Sequence, residues 1–295
     1  MGLLKAHEAM KGRTAVVIGG AAGHLGRGVT LGLAREGVRI ITCDNDREGL
    51  ETIIGEVEAL GSTITPIYGD VMDPASLDAF YDEVENLTDR IDILVNVPGG
   101  VARMMFEDTT RETHQHDIRY NYGYHIDSCK RAIPLLRKSG NGGAIVNFTT
   151  IEAHRGAATF AVYAGAKAAL TNFSRALAVE LGKDMIRVNC LASDTSPART
   201  TNAALAAEDF ERLEAAGPEA MTEAMKIYVP QKRAPTVEEV VDGVIFLTSD
   251  LSRTVTGQTL FVDGGTQAAF GFIDWPGGDG FMPAPLGGTM QLLQR

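Results

Sequence analysis

The sequence predicts an α/β protein: one doubly wound parallel sheet with helices on both faces. Short β-branched runs alternate with amphipathic stretches along most of the chain. Several of the short runs are continuously apolar, the pattern of parallel strands covered on both faces. No internal repeat and no Pro- or Ser-rich linker interrupts the alternation before residue 265. One domain is therefore expected over residues 1–267, followed by a Gly/Pro-rich tail over 268–295.

The elements follow in order. "TAVVIG" (14–19) reads as a buried strand, and "LGRGVTLGLAREG" as a helix ending at Gly37. "VRIITC" (38–43) is the second strand, and "DREGLETIIGEVEALG" a helix closed by Gly61. Further strands are read at 63–69, 91–97, 143–150, 186–192 and 258–263, and helices at 74–87, 112–137, 160–182 and 236–249. Pro66 is unusual within a strand and is accommodated near its start. The tail is expected to be extended, and its Phe, Trp and Met content argues against a purely solvated segment.

Composition narrows the function classes. The 295 residues are 44% hydrophobic, enough for a substantial core, and carry a formal net charge of −11. Scattered acidity disfavours a nucleic-acid or anionic-membrane surface. Cys43, Cys129 and Cys190 lack metal-type spacing and read as free thiols, so no metal is expected. The first residues show no leader pattern, and no apolar run is long enough to span a bilayer. The expectation is a soluble, cytoplasmic protein with a small-molecule substrate.

Two motifs point to chemistry. The first strand runs into "GGAAGHLGRG" (19–28), which opens a helix. There Gly20, Gly23, His24, Leu25 and Gly26 would bring free backbone N–H groups and the helix dipole to a pyrophosphate. Asp44 follows Gly26 by eighteen residues, near the spacing of a ribose-binding acid. A carboxylate there accepts from both ribose hydroxyls and repels a 2′-phosphate, which favours NAD over NADP. Asp46 is the alternative ribose ligand, and Asp44 or Asn45 is alternatively the cap of the next helix. The second motif lies in "TFAVYAGAKAALTNF" (159–173), a helical stretch that places Tyr163 and Lys167 on one face.

With Tyr-x-x-x-Lys at 163–167, a hydroxyl residue thirteen positions earlier at Thr150, Asn121 in "DIRYNYG" and "VTGQTLFVDGG" at 255–265, the chain resembles the short-chain dehydrogenase/reductase family over about residues 12–267. The resemblance implies a Rossmann-type fold, a nicotinamide cofactor and a homo-oligomer, with a tetramer expected. It makes Tyr163 the proton-transfer group, Thr150 the hydrogen-bond partner of the substrate oxygen, and Asn121 the holder of a water linking Lys167 to solvent. A tyrosine ordinarily titrates near about 10, and a lysine ammonium beside it favours the phenolate. The resemblance also places Asp70 and Val71 at the adenine, Asn96 at a cofactor-side strand end, and Tyr163, Lys167 and Thr200 at the nicotinamide half. The chain departs from the family pattern at His24 (usually Gly), Pro98, Thr150 (usually Ser) and Ser193-Asp194 (usually Pro-Gly).

The expected function is hydride transfer between NAD(H) and a secondary alcohol or ketone. Two alternatives are a catalytically degenerate dinucleotide-binding sensor or structural subunit, and a sugar-nucleotide epimerase or dehydratase. The substrate loop should span about 195–232, where Phe210, Leu213, Met221, Met225, Ile227 and Tyr228 offer apolar surface. Met104, Met105 and Phe106 should stand near the same mouth. An apolar, cyclic or aromatic substrate is therefore expected. Asp194 either faces the nicotinamide or turns away as a cap. Phe270, Phe272, Trp275 and Phe281 mark the tail for packing on a neighbouring subunit.

Overall fold

The computed structural model describes residues 2–101, 103–140, 142–194, 215, 219, 222–223, 225–274 and 280–283. Thr200, Phe210, Leu213, Met221 and Trp275, and most of the expected substrate loop, lie outside the described residues.

Among the described residues, seven strands form one all-parallel sheet in the order β3-β2-β1-β4-β5-β6-β7. They are β1 (Thr14–Ile18), β2 (Arg39–Asp44), β3 (Ile64–Tyr68), β4 (Ile93–Asn96), β5 (Gly143–Thr150), β6 (Ile186–Ser193) and β7 (Thr259–Val262). The order reverses between β1 and β4, which opens a crevice at the carboxyl ends of those strands. Pro66 pairs with Thr42 on β3, the sheet's edge strand. It is accommodated because an edge strand has one row of unpaired backbone groups, rather than because it lies near the strand's start.

Side chains alternate across the sheet. Val16, Ile18, Ile41, Leu94 and Ile145 face α4 (Pro74–Leu87), α6 (Tyr124–Arg137) and α7 (Ala161–Leu181). Ala15, Val17, Ile40, Ile93 and Val146 face α2 (His24–Arg35) and α8 (Val237–Thr248). α3 (Arg47–Ala59) packs Leu50, Ile53 and Val57 beside α2. A short α1 (Leu3–Glu8), unforeseen in the sequence, precedes the sheet.

Caps set the helix starts. Asp46, not Asp44 or Asn45, caps α3 by accepting from the Gly49 amide at 3.1 Å. Thr236 and Glu239 form a reciprocal capping box on α8. The expected helix 112–137 is broken. It begins as α5 (Arg111–Ile118), widens through a π-turn over Arg119–Gly123, and resumes as α6.

A polar chain crosses the buried middle of the sheet. Tyr81 bonds Ser128, Ser128 donates to Asn96 Oδ1, Asn96 Nδ2 donates to Asn147, and Asn147 Nδ2 donates to Ser174. Every member is satisfied, which makes such burial tolerable. The tail is partly folded: α9 (Thr266–Ala269) leads to β8 (Phe272–Asp274), which pairs antiparallel with β9 (Phe281–Pro283). Lys232 ties this hairpin down through an ion pair with Asp274 and lies 5.0 Å from the Phe281 ring centroid. Among the described residues, no helix is long and apolar enough to cross a membrane.

Candidate active site

The cofactor end is built from backbone that leaves no room for side chains. Gly19 adopts φ +73°, and a Cβ there would come within 2.5 Å of Pro98. Pro98 therefore packs on the turn, and its carbonyl accepts from the Tyr124 hydroxyl at 2.8 Å. Gly26 lets α2 start directly over β1, because a Cβ on it would run into the Gly19 carbonyl oxygen. Gly20 is buried against Thr30 and Thr42 rather than open to the crevice. Gly23 has φ +63° and ψ 171°, a region essentially reserved for glycine, and it supplies the conformational freedom that His24 cannot. His24 is instead the exposed first residue of α2.

Among the described residues no side chain caps α2, so its first amides are left without a side-chain partner. They open on a cleft of about 510 Å³ lined by His24, Leu25, Asp44, Asp70, Val71 and Gly99 among others. Asp44 is buried at its edge. Its Oδ2 accepts from the Ala21 and Ala22 amides at 2.9 and 2.8 Å, and Oδ1 from the Asp46 amide at 3.1 Å. A carboxylate offers roughly four acceptor positions. Three are taken, which leaves room for one ribose hydroxyl rather than the two expected. An uncapped helix start, a glycine turn without side-chain space and a carboxylate at the end of β2 together fit a dinucleotide. Like Gly20, Asn96 does not line the cleft: it is fully buried in the polar chain.

The chemical end is built from side chains on β5, the π-turn and α7. Tyr163 and Lys167 stand one turn apart on α7. Lys167 is 3% exposed and donates to the Phe148 carbonyl at 2.9 Å. Asn121 sits in the π-turn, fully buried. Its Nδ2 donates to the Gly100 and Asp117 carbonyls at 2.8 and 3.0 Å, and its Oδ1 accepts from the Gly100 amide at 3.0 Å. Asn121 thus pins the loop that follows β4. A Cβ at Gly99 would come 2.6 Å from Lys167 Nζ and 3.0 Å from Asn121 Oδ1, so both atoms border the same small space. Thr150, the last residue of β5, stands beside the Tyr163 phenol.

The electrostatics differ from the sequence expectation. Burial pushes Tyr163 up to about 12, with the Glu152 and Asp194 charges adding and the Thr150 hydroxyl opposing. Burial likewise drives Lys167 down to about 7. Desolvation thus outweighs the stabilisation of phenolate by ammonium that the pairing alone suggests.

Two features were not foreseen. Glu152 accepts from the Thr150 hydroxyl and, through its other oxygen, from Arg155 Nη2 at 2.7 Å. Arg155 also donates to the Tyr228 hydroxyl at 2.9 Å, and Tyr228 bonds Asp194. Asp194 therefore turns toward Tyr228 while still adding charge near Tyr163. The second is His125, one turn beyond Asn121 on α6. It is fully buried, with neither ring nitrogen partnered among the described residues, and is held neutral by burial and the Lys167 charge. No spacing rule would have linked these residues to the tyrosine, because their placement depends on how β5, α6 and the segment before α8 meet.

The chain matches the family model described as Enoyl-(Acyl carrier protein) reductase over residues 20–267. It is 30% identical over 272 residues to the D-xylose 1-dehydrogenase of Caulobacter vibrioides, covering 88% of this chain and 97% of that protein. The solved structure of levodione reductase is similar at TM-score 0.79 and 25% identity, covering 88% of this chain and 99% of that one. Carveol dehydrogenase from Mycobacterium avium, solved in complex with NAD, is similar at TM-score 0.79 and 27% identity, covering 88% and 98%. The chain belongs to the short-chain dehydrogenase/reductase family and is an oxidoreductase acting on CH–OH groups. The family depends on a nucleotide cofactor.

Proposed function

We propose that the protein transfers a hydride between NAD(H) and a secondary alcohol or its ketone, with an apolar, cyclic or aromatic body on the substrate. What carries this reading is the joint placement of Tyr163, Lys167, Thr150 and Asn121. The phenol has the Thr150 hydroxyl as a neighbour on one side, and a buried amine borders Asn121 on the other.

When bound, the nicotinamide ring supplies the hydride acceptor or donor. The amides of the 19–26 turn and of the α2 start hold the pyrophosphate, with Gly20, Gly23, His24, Leu25 and Gly26 setting their path. Asp44 accepts one adenosine-ribose hydroxyl and opposes a 2′-phosphate, which favours NAD over NADP. Asp70 and Val71 flank the adenine. Lys167 has two N–H donors beyond the bond to Phe148, available to the second ribose. Thr200 is assigned to the carboxamide by the family pattern. Asn96 supports the cleft from below rather than touching the cofactor.

In alcohol oxidation Tyr163 takes the hydroxyl proton as the hydride leaves the carbinol carbon, and it does so as the phenolate, the form that burial disfavours in the cofactor-free protein. In reduction the phenol gives that proton back. The Thr150 hydroxyl stabilises charge on the reacting oxygen. The apolar body is supported by one wall of the mouth, where Val101, Met104, Phe106, Phe160 and Val162 line a crevice that reaches Tyr163. We extend the proposal to a homotetramer, supported by Val179 of α7, 85% exposed, and by the exposed Phe270 and Phe272.

Absorbance at 340 nm with NAD or NADP and a panel of secondary alcohols tests the reading, together with dissociation constants for both cofactors. Turnover with NAD and weaker NADP binding are expected. No turnover across the panel would return the protein to a binding role. NADP binding as tight as NAD would remove the role of Asp44.

A further inference from the structure

Beside Thr150 stands a carboxylate for which the proton transfer above has no use. Glu152 lies in the single 3-10 turn (Ile151–Ala153) that follows β5. Its side chain is 14% exposed, and it is fixed at both oxygens, by the Thr150 hydroxyl at one and Arg155 at the other. Tyr228 holds Arg155 in place by accepting a second hydrogen bond from it.

A threonine hydroxyl has one proton. Turned to Glu152, that proton is unavailable to a substrate oxygen. Thr150 neighbours the Tyr163 phenol and donates its hydroxyl proton to Glu152, so the three side chains stand in a row. An oxygen reacting at Tyr163 and Thr150 therefore has its neighbouring carbon close to the carboxylate. Of roughly four acceptor positions on Glu152, two are in use. The remaining positions can receive only hydrogen-bond donors.

We propose that Glu152 is a specificity-determining residue that accepts a hydroxyl carried on the carbon next to the reacting carbinol, so that the substrate is a vicinal diol or the corresponding α-hydroxy ketone. This deepens the hydride-transfer reading and rests on it. A second hydroxyl that donates to Glu152 replaces Thr150 there. The Thr150 proton then turns to the reacting oxygen, where it stabilises the developing charge. A plain alcohol offers no such replacement and leaves Thr150 turned away. A neighbouring carboxylate or carbonyl would meet the Glu152 charge without a proton to share. The apolar side chains Val101, Met104, Phe106, Phe160 and Val162 beside Tyr163 offer surface to the carbon skeleton, so the site recognises one hydroxylated edge and one bare edge.

The probes are cis-1,2-cyclohexanediol and cyclohexanol, which differ by the one hydroxyl. The readout is the ratio of their kcat/KM values with NAD, with KM and kcat resolved separately. Glu152→Gln is the informative variant. Because Arg155 only donates, the glutamine oxygen faces Arg155, and the amide N–H groups face Thr150 and the substrate. The acceptor becomes a donor. The wild-type protein should prefer the diol, and E152Q should lower the diol-to-alcohol ratio by roughly tenfold or more. Tyr228→Phe, which loosens Arg155 without touching Glu152, should lower it in the same direction by less. A wild-type ratio near one, or a ratio unchanged in both variants, overturns the proposal and leaves hydride transfer standing. Turnover of neither probe by the wild-type protein overturns both.

Discussion

The carboxyl edge of the sheet is made in two different ways. Around β1 and β2 the site is backbone: a glycine turn, uncapped amides and a carboxylate already bonded to that turn. Around β5 and α7 the site is side chain: a buried amine, a phenol, a hydroxyl and a run of polar partners reaching Tyr228. Backbone recognition depends on the absence of atoms. Side-chain chemistry depends on desolvation, which costs stability when the buried group is charged. The first half should therefore fail by steric intrusion, and the second by loss of function with a gain in stability.

Gly26→Ala should produce the larger effect on the fold. Its methyl group would meet the Gly19 carbonyl oxygen, which is backbone and cannot swing aside. α2 must then move off β1. The expected cost is about 2–4 kcal/mol in denaturant unfolding, with NADH affinity down at least about tenfold. Wild-type stability and NADH titration in this variant would show that the turn is looser than described.

Lys167→Met should have a smaller and opposite effect. Burial lowers the Lys167 pKa to about 7, against an ordinary value of about 10.4. Between those values the folded chain binds fewer protons than the unfolded chain, so stability rises with pH across that window. Below about pH 7 the penalty is present in full. Methionine removes it but also loses the bond to Phe148, so a net gain of about 1–3 kcal/mol is expected at pH 7 in the cofactor-free protein. The gain should shrink as pH rises toward 10, and turnover should be lost. Melting curves at several pH values check this, and a variant no more stable than wild type at pH 7 would mean that Lys167 sits in a better-solvated site.

The contrast also explains what the sequence made legible. Periodicity and glycine spacing are local, and they placed the strands, the turn and the Tyr163–Lys167 face. They could not show that Asp44 already accepts three amides, because Ala21 and Asp46 reach it from two different loops. They ran 112–137 as one helix because a π-turn preserves helical composition while it moves Asn121 against Gly100. Asn96, expected at the cofactor, belongs to a chain from Tyr81 to Ser174 that no single segment encodes. The pairing rule of lysine beside tyrosine omits burial, which pushes both groups away from their charged forms.

The division between a backbone cofactor site and a side-chain chemical site is tested most directly by Tyr163→Phe, with turnover and NADH binding measured on the same preparation. The phenyl ring keeps the packing and loses only the proton-carrying oxygen. Turnover should fall at least about 100-fold, while the NADH dissociation constant changes by less than about threefold. Turnover kept above a tenth of wild type, or binding lost in step with turnover, would contradict the division.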